Sequence, residues 1–313
     1  MANIPEALSA LLDSLKAGTT PAAAQLTVFS DLDRDAAAAL RAAWPSISSE
    51  LRRSTLVRAR ELSDDSVDLN FTELGRAGLD DPEAEVRRAA IESLWEGEDR
   101  RVGQRLATLL RSDPDDSVRA AAASGLAVFA AASENETIDR VTGDEAVNAL
   151  RAAAAEDEPS LDIRGRAVES LGIRSLPWVE TLISDAYYHE DRGLRLAAIR
   201  AMGHSGGGGW LEILEEEVQS DDPEFRFAVA TALGEIESEQ GVEVLSDLLA
   251  DEDTEVVLAA VMALGQVGGS VAEERLETFI ESVEGTLAEA AKEALEEARS
   301  DGSVDLMRQR IGL

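Results

Sequence analysis

DPEFRFAVATALG at residues 222–234 and DTEVVLAAVMALG at residues 253–265 carry the same pattern 31 positions apart. Each opens on a carboxylate, places apolar residues at a start and at four, five and eight positions beyond it, and closes on Ala-Leu-Gly. At 3.6 residues per turn those apolar positions share one face, so each stretch reads as an amphipathic helix. Related copies start at Leu51, Val86, Val118, Ile163, Leu194, Phe225, Val256 and Leu287, with successive spacings of 35, 32, 45, 31, 31, 31 and 31. The one long interval predicts an insertion of 14 residues, placed around 128–147 and read, with Asn135, Glu136 and Asp144, as a polar loop.

Acidic turns with proline precede several copies: Asp81-Pro82, Asp113-Pro114, Glu158-Pro159 and Asp222-Pro223. Carboxylates there meet the positive end of the helix dipole. A second apolar-periodic helix lies before each turn, for example over 106–110, 179–183, 211–214 and 244–249. A helix pair of about 31 residues cannot bury its apolar face alone, so neighbouring pairs must stack.

The segments DDPEAEVRRAAIESL, DDPEFRFAVATALG and DEDTEVVLAAVMALG resemble HEAT repeats, most closely the short variety named after phycobilin lyases. The resemblance implies an all-α, right-handed α-solenoid of stacked helix pairs over residues 46–299, with capping helices over 1–45 and a tail over 300–313. It also implies that the recurring arginines Arg52, Arg87, Arg119, Arg164, Arg195 and Arg226 form a structural ladder to acidic turns of neighbouring repeats. Val257 and Ala288 interrupt that ladder at its C-terminal end.

Composition narrows the chemistry. The 313 residues hold 63 Asp+Glu against 29 Lys+Arg, a net charge of −34, with two His and no Cys. The lack of cysteine excludes disulfides, thiolate metal sites and a cysteine nucleophile. Only Lys16 and Lys292 are lysines, so 27 of the basic residues are arginine. An acidic surface nearly stripped of lysine points to a salt-accumulating halophile, where screening at molar salt is strong. The absence of a basic leader and of a long apolar run leads to the expectation of a soluble, cytoplasmic protein with no membrane association.

Catalytic readings find little to stand on. Deoxyhypusine hydroxylase, a metalloenzyme family built of HEAT-like repeats, holds iron with His-Glu dipeptides just after the repeat arginine. Those positions here read Arg88-Ala89, Ala120-Ala121, Gly165-Arg166, Leu196-Ala197 and Phe227-Ala228, and the one dipeptide, His189-Glu190, falls in a turn. His204 with Gly206 to Gly209 lacks the Lys-Ser/Thr of a phosphate loop. The one dense basic stretch, Arg52, Arg53, Arg58 and Arg60, overlaps the ladder, so nucleic acid is not an expected partner.

Positions two and six after each apolar start point away from the buried face. They place Leu196, Phe227 and Leu258 in register, with Arg200, Thr231 and Met262 beside them. An apolar stripe at solvent-facing positions marks a contact surface for a protein or peptide. The competing reading covers the stripe with the chain's own tail, where Val304, Leu306, Met307 and Ile311 are apolar. Trp178, Tyr187, Tyr188 and Trp210 form an aromatic group read chiefly as packing, as are Trp44 and Trp95. The resulting expectation is a non-catalytic scaffold or adaptor, monomeric by itself and without cofactor or metal; the alternative is a bilin lyase or isomerase-like enzyme.

Overall fold

The computed structural model describes residues 5–66, 68–94, 98–206 and 208–311, without the side chains of 65, 208 and 300–311. Trp95 and the apolar side chains of the tail therefore lie outside the described residues. All regular structure among the described residues is helical. The chain divides into two compact units, 1–170 and 171–313.

The first unit holds α1 (Glu6–Lys16), α2 (Ala23–Leu26), α3 (Arg34–Ala43), α4 (Ser49–Asp65), α5 (Thr72–Gly78) and α6 (Ala84–Glu92). It continues with α7 (Arg100–Ser112), α8 (Asp116–Gly125), α9 (Ala127–Glu134), α10 (Arg140–Ala153) and α11 (Leu161–Leu171), whose last residue belongs to the second unit. The second unit holds α12 (Pro177–Tyr187), α13 (Arg192–His204), α14 (Leu211–Glu217), α15 (Pro223–Ile236), α16 (Val242–Leu248), α17 (Thr254–Val267), α18 (Gly269–Ser282) and α19 (Thr286–Ile311). The repeated segments are the inner helices α4, α6, α8, α11, α13, α15, α17 and α19. In the first unit α4, α6 and α8 pack in a row, and in the second α13, α15, α17 and α19 do; α6, α8, α13, α15, α17 and α19 also pack on the outer helix before them.

Sequence chemistry explains where the inner helices begin. Asp115, Asp191, Asp222 and Asp253 are N-caps whose carboxylates accept backbone N–H groups of the first turn, for example Glu255 N–H to Asp253 at 2.9 Å. Such a cap satisfies donors that the helix leaves unpaired, and is worth about 1 kcal/mol. Behind the caps the apolar starts Val118, Leu194, Phe225 and Val256 are 0–2% exposed.

Helix ends are set by close approach. A Cβ on Gly203 would stand 2.7 Å from Cα of Ala232, and one on Gly234 2.9 Å from Cα of Ala263. Gly172 faces Ala201 and Gly265 faces Ala294 in the same way. The Ala-x-Gly endings thus let consecutive inner helices of the second unit touch almost backbone to backbone.

The expected polar loop near 128–147 is instead mostly helix. α9 buries Phe129 and Ala130 completely, and a Cβ on Gly103 of α7 would stand 2.6 Å from the Phe129 ring. A turn at Asn135 and Glu136, the latter in the left-handed region at φ 56°, leads to α10, which contains Asp144. Phe129 seated on Gly103 is the largest of the buried side chains that hold the insertion, with Ala130, Ala132 and Ala146 beside it in the sequence.

Candidate functional site

The recurring arginines lie near the start of the inner helices. Arg87 is 8% exposed and donates Nε to Asp113 Oδ2 at 2.8 Å and Nη2 to Asp113 Oδ1 at 2.7 Å. Its Nη1 reaches back to the carbonyl of Asp81 at 2.8 Å, so one side chain ties its own turn to the next. Arg226 repeats this arrangement, with Nε and Nη2 on Asp251 at 2.6 and 2.8 Å and Nη1 on the Ser220 carbonyl at 2.8 Å. The Arg226 hydrogen bond holds the Asp251 carboxyl below the usual carboxylate range, against the opposing effect of burial. Arg52 meets Asp81 at 3.2 Å, and Asp81 also accepts the Trp44 indole N–H at 2.8 Å. Arg119 pairs with Glu158. Arg164 is 6% exposed, and its Nε has no hydrogen-bond partner among the described residues.

Arg195 departs from the series. In three other turns the acceptor stands two residues before the cap: Asp81 before Glu83, Asp113 before Asp115, Asp251 before Asp253; before the Asp191 cap that place holds His189. At Asp222 the cap itself precedes proline, and the residue two before it is Ser220, which has no carboxylate. Arg195 turns instead to Glu217 at 2.8 Å and lies 5.1 Å from the Phe225 ring centroid and 5.7 Å from that of Tyr187. Tyr187 donates to the same Glu217 oxygen at 2.7 Å. Burial, then this bond to Glu217, pushes the Tyr187 phenol up to about 12. The cap Asp222 accepts Arg192 at 2.6 Å, which lowers its carboxyl's pKa.

The stripe lies on the inner helices of the second unit. Phe227 and Thr231 of α15, Leu258 and Met262 of α17, and Ala290, Glu293, Ala294 and Glu297 of α19 line one groove of about 570 Å³. Phe227 is 40% and Met262 59% exposed, and Leu258 is half-buried. The backbone over 300–311 continues α19 as helix. Leu196 was expected to be exposed with them but is only 5% exposed, and neither it nor the half-buried Arg200 lines the groove. Position two lies opposite the core only on an isolated helix. In a close-packed row the flanking helices cover it, as Ala120 at 7% also shows, and α13 has α15 hard against it at Gly203.

Sequence reasoning missed Glu255 and Gln266, which also line the groove. The signal was present: Glu255, Leu258, Met262 and Gln266 fall at i, i+3, i+7 and i+11, one face of α17 extended by a turn in each direction.

A larger groove of about 790 Å³ lies on the first unit, where Arg60, Arg88 and Arg166 alternate with Glu92 and Asp162 over a floor of Ala120, Ala121 and Gly125. Arg88 pairs with Glu85 at 2.9 Å and Arg166 with Asp162 at 3.5 Å. In the basic stretch, Arg52 belongs to the ladder and Arg58 donates to the Pro21 carbonyl, while Arg53 and Arg60 are exposed. Trp44 and Tyr187 are buried, Trp178 and Trp210 half-buried, and Tyr188 is 74% exposed, edge-on to Tyr187 at 5.0 Å. His189 Nδ1 accepts the Asp191 amide at 3.0 Å, and His204 lies 3.7 Å from Glu235. Among the described residues no three His, Asp or Glu are placed to hold a metal ion. No helix among them is long and apolar enough to cross a membrane.

Comparison with known proteins agrees with the repeat pattern. A family model described as HEAT repeats matches residues 73–172, 179–265 and 208–311. No curated protein matches the sequence. Among solved structures, YibA of Escherichia coli is similar at 19% identity, covering 75% of this chain and 96% of its own, with a TM-score of 0.43. Human deoxyhypusine hydroxylase in complex with glycerol matches at 18% identity over 84% of this chain and 96% of its own, TM-score 0.36. Importin beta matches at 14% identity over 94% of this chain and 47% of its own, TM-score 0.48.

Proposed function

We propose that this chain, which belongs to the HEAT-repeat family, is a non-catalytic protein-binding scaffold or adaptor whose contact surface is the groove between α15, α17 and α19. The observation that carries the reading is the groove itself, in which Phe227 and Met262 stay open to solvent beside Leu258. Large apolar side chains gathered in a concavity lower their free energy by burial against a partner, and such central anchors carry most of the binding energy of an interface. Arg87 and Arg226 serve the scaffold's own stability, since their donors are engaged by neighbouring turns.

We read residues 1–45 as the N-terminal cap of the stack, the repeats as the short phycobilin-lyase-like variety, and the chain as a monomeric protein of a halophile's cytoplasm. The charge of −34 and the two lysines support the last point.

The test uses the chain as bait at molar KCl. Phe227→Glu and Met262→Glu replace exposed side chains, so neither variant buries an unpaired carboxylate and both keep the helical circular dichroism of the parent. A species held by the parent and by the control Glu92→Gln is lost from both variants, a weakening of about 2 kcal/mol or more. Retention of every bound species by folded Phe227→Glu removes the groove as the site.

A further inference from the structure

We infer that the occupant of the α15/α17/α19 groove is a cationic amphipathic segment, apolar side chains flanked by arginine or lysine; the inference rests on the groove being the docking site. Floor and rim differ in chemistry. Phe227, Leu258, Met262, Ala263 and Ala294 make an apolar floor, whereas every titratable residue lining the groove is a glutamate: Glu255, Glu293 and Glu297.

Glu255 and Glu293 are exposed, and neither has an ion pair among the described residues. In the larger groove of the first unit, by contrast, the carboxylates are answered by guanidinium groups, Arg88 pairing with Glu92 and Arg166 with Asp162. No arginine or lysine lines the α15/α17/α19 groove. The surrounding stretch sharpens the contrast, since residues 171–313 hold 31 Asp+Glu against 10 Lys+Arg, compared with 32 against 19 in residues 1–170.

Those charges select among partners. A purely apolar segment entering the groove would strip water from the rim glutamates without replacing it, and an acidic segment would be repelled by them. Basic residues on either side of an apolar anchor meet both demands, the anchor filling the floor and the cations pairing at the rim. Pairing at an exposed rim acts chiefly on partner choice and association rate, and weakens as salt rises.

Two fluorescein-labelled synthetic peptides with the same leucines on one helical face, and either arginine or glutamate at every other position, test this by anisotropy. They are titrated at the lowest KCl concentration that keeps the helical circular dichroism, and again at about 2 M. The leucine/arginine peptide binds about tenfold or more tighter than the leucine/glutamate peptide at low salt, and the gap narrows at high salt. The double variant Glu255→Gln/Glu293→Gln removes most of that preference, while Glu212→Gln/Glu215→Gln, exposed on α14, leaves it.

If both peptides bind equally and both lose affinity in Phe227→Glu, the groove stands as the site and the cationic partner is wrong. A preference untouched by the Glu255/Glu293 double variant also overturns the inference, because it then reflects the chain's overall charge. Failure of either peptide to bind overturns it together with the docking role of the groove for such segments.

Discussion

Replacing Arg87 with alanine removes the most fully engaged cation of the turn ladder. The parent side chain makes two bonds to Asp113 and one each to the Asp81 and Pro82 carbonyls, all at 2.7–3.1 Å. The Asp113 side chain is 3% exposed, so Arg87→Ala leaves a carboxylate buried without its counter-charge. Breaking a buried pair from one side costs about 3–5 kcal/mol. Asp113 keeps the backbone N–H of Asp115 at 3.0 Å, which puts the expected loss at the lower end, about 3 kcal/mol. For a unit of this size that is a drop in melting temperature of about 6–12 °C. Because stability in stacked repeats is a sum of nearest-neighbour contributions, the loss falls on the first unit. The matched control is Arg88→Ala on the next residue, whose pair with Glu85 is largely exposed and whose removal changes stability by about 0.5 kcal/mol or less. Thermal melts by circular dichroism and calorimetry at molar KCl read both variants. Equal melting temperatures for Arg87→Ala and Arg88→Ala would refute the reasoning.

Three further outcomes are expected. Helical signal and melting temperature rise from low to molar KCl, because screening relieves repulsion among carboxylates at a net charge of −34; constancy across that range removes the halophile reading. In Tyr188→Phe, which leaves one of the two tyrosines, phenolate absorbance appears only as pH approaches about 12, the value to which burial and Glu217 raise Tyr187. A raised pKa contributes stability below the unfolded value of about 10 and loses it as pH rises, so the titration coincides with loss of helix; a midpoint near 10 in the folded protein refutes it. Asp251 has the opposite sign: Arg226 lowers its pKa, so its contribution is present above the unfolded value of about 3.9 and is lost as pH falls through the folded one. Urea midpoints of the parent and Asp251→Asn therefore differ at pH 7 and converge below about pH 4, and a difference that persists in acid speaks against the pair.

The inner helices were legible in the sequence because an apolar face repeated every 31 residues leaves few other ways to bury itself. Facing was legible only in part. The same helical arithmetic that placed Phe227, Leu258 and Met262 on one surface also placed Leu196 there, since a wheel drawn for one helix carries no information about how closely its neighbours stand. The partner of Arg195 was hidden for a related reason: a shift of two residues between cap and proline moves the acceptor position onto Ser220, and only three-dimensional proximity brings Glu217 in its place. The insertion reads as a loop because Asn135, Glu136 and Asp144 are conspicuous, whereas apart from Phe129 the buried apolar residues that fix it, Ala130, Ala132 and Ala146, are small and carry little signal.

The Ala-x-Gly endings bear on how such a chain changes length. Ala232 receives the helix before it and Gly234 presents to the helix after it, so one 31-residue module carries both halves of its joints. Copying or deleting a whole module between α13 and α17 leaves every remaining joint with a complete glycine–alanine match, whereas inserting a residue between Ala232 and Gly234 would put the two halves of adjoining joints out of step. At α19 the alanine is present as Ala294, but the position 31 residues after Gly265 is Glu296. A module grafted behind α19 would meet a charged side chain where each earlier joint has none. Within this unit the glycine–alanine match therefore runs through the joint of α17 with α19, and α19 carries its alanine half without the glycine half.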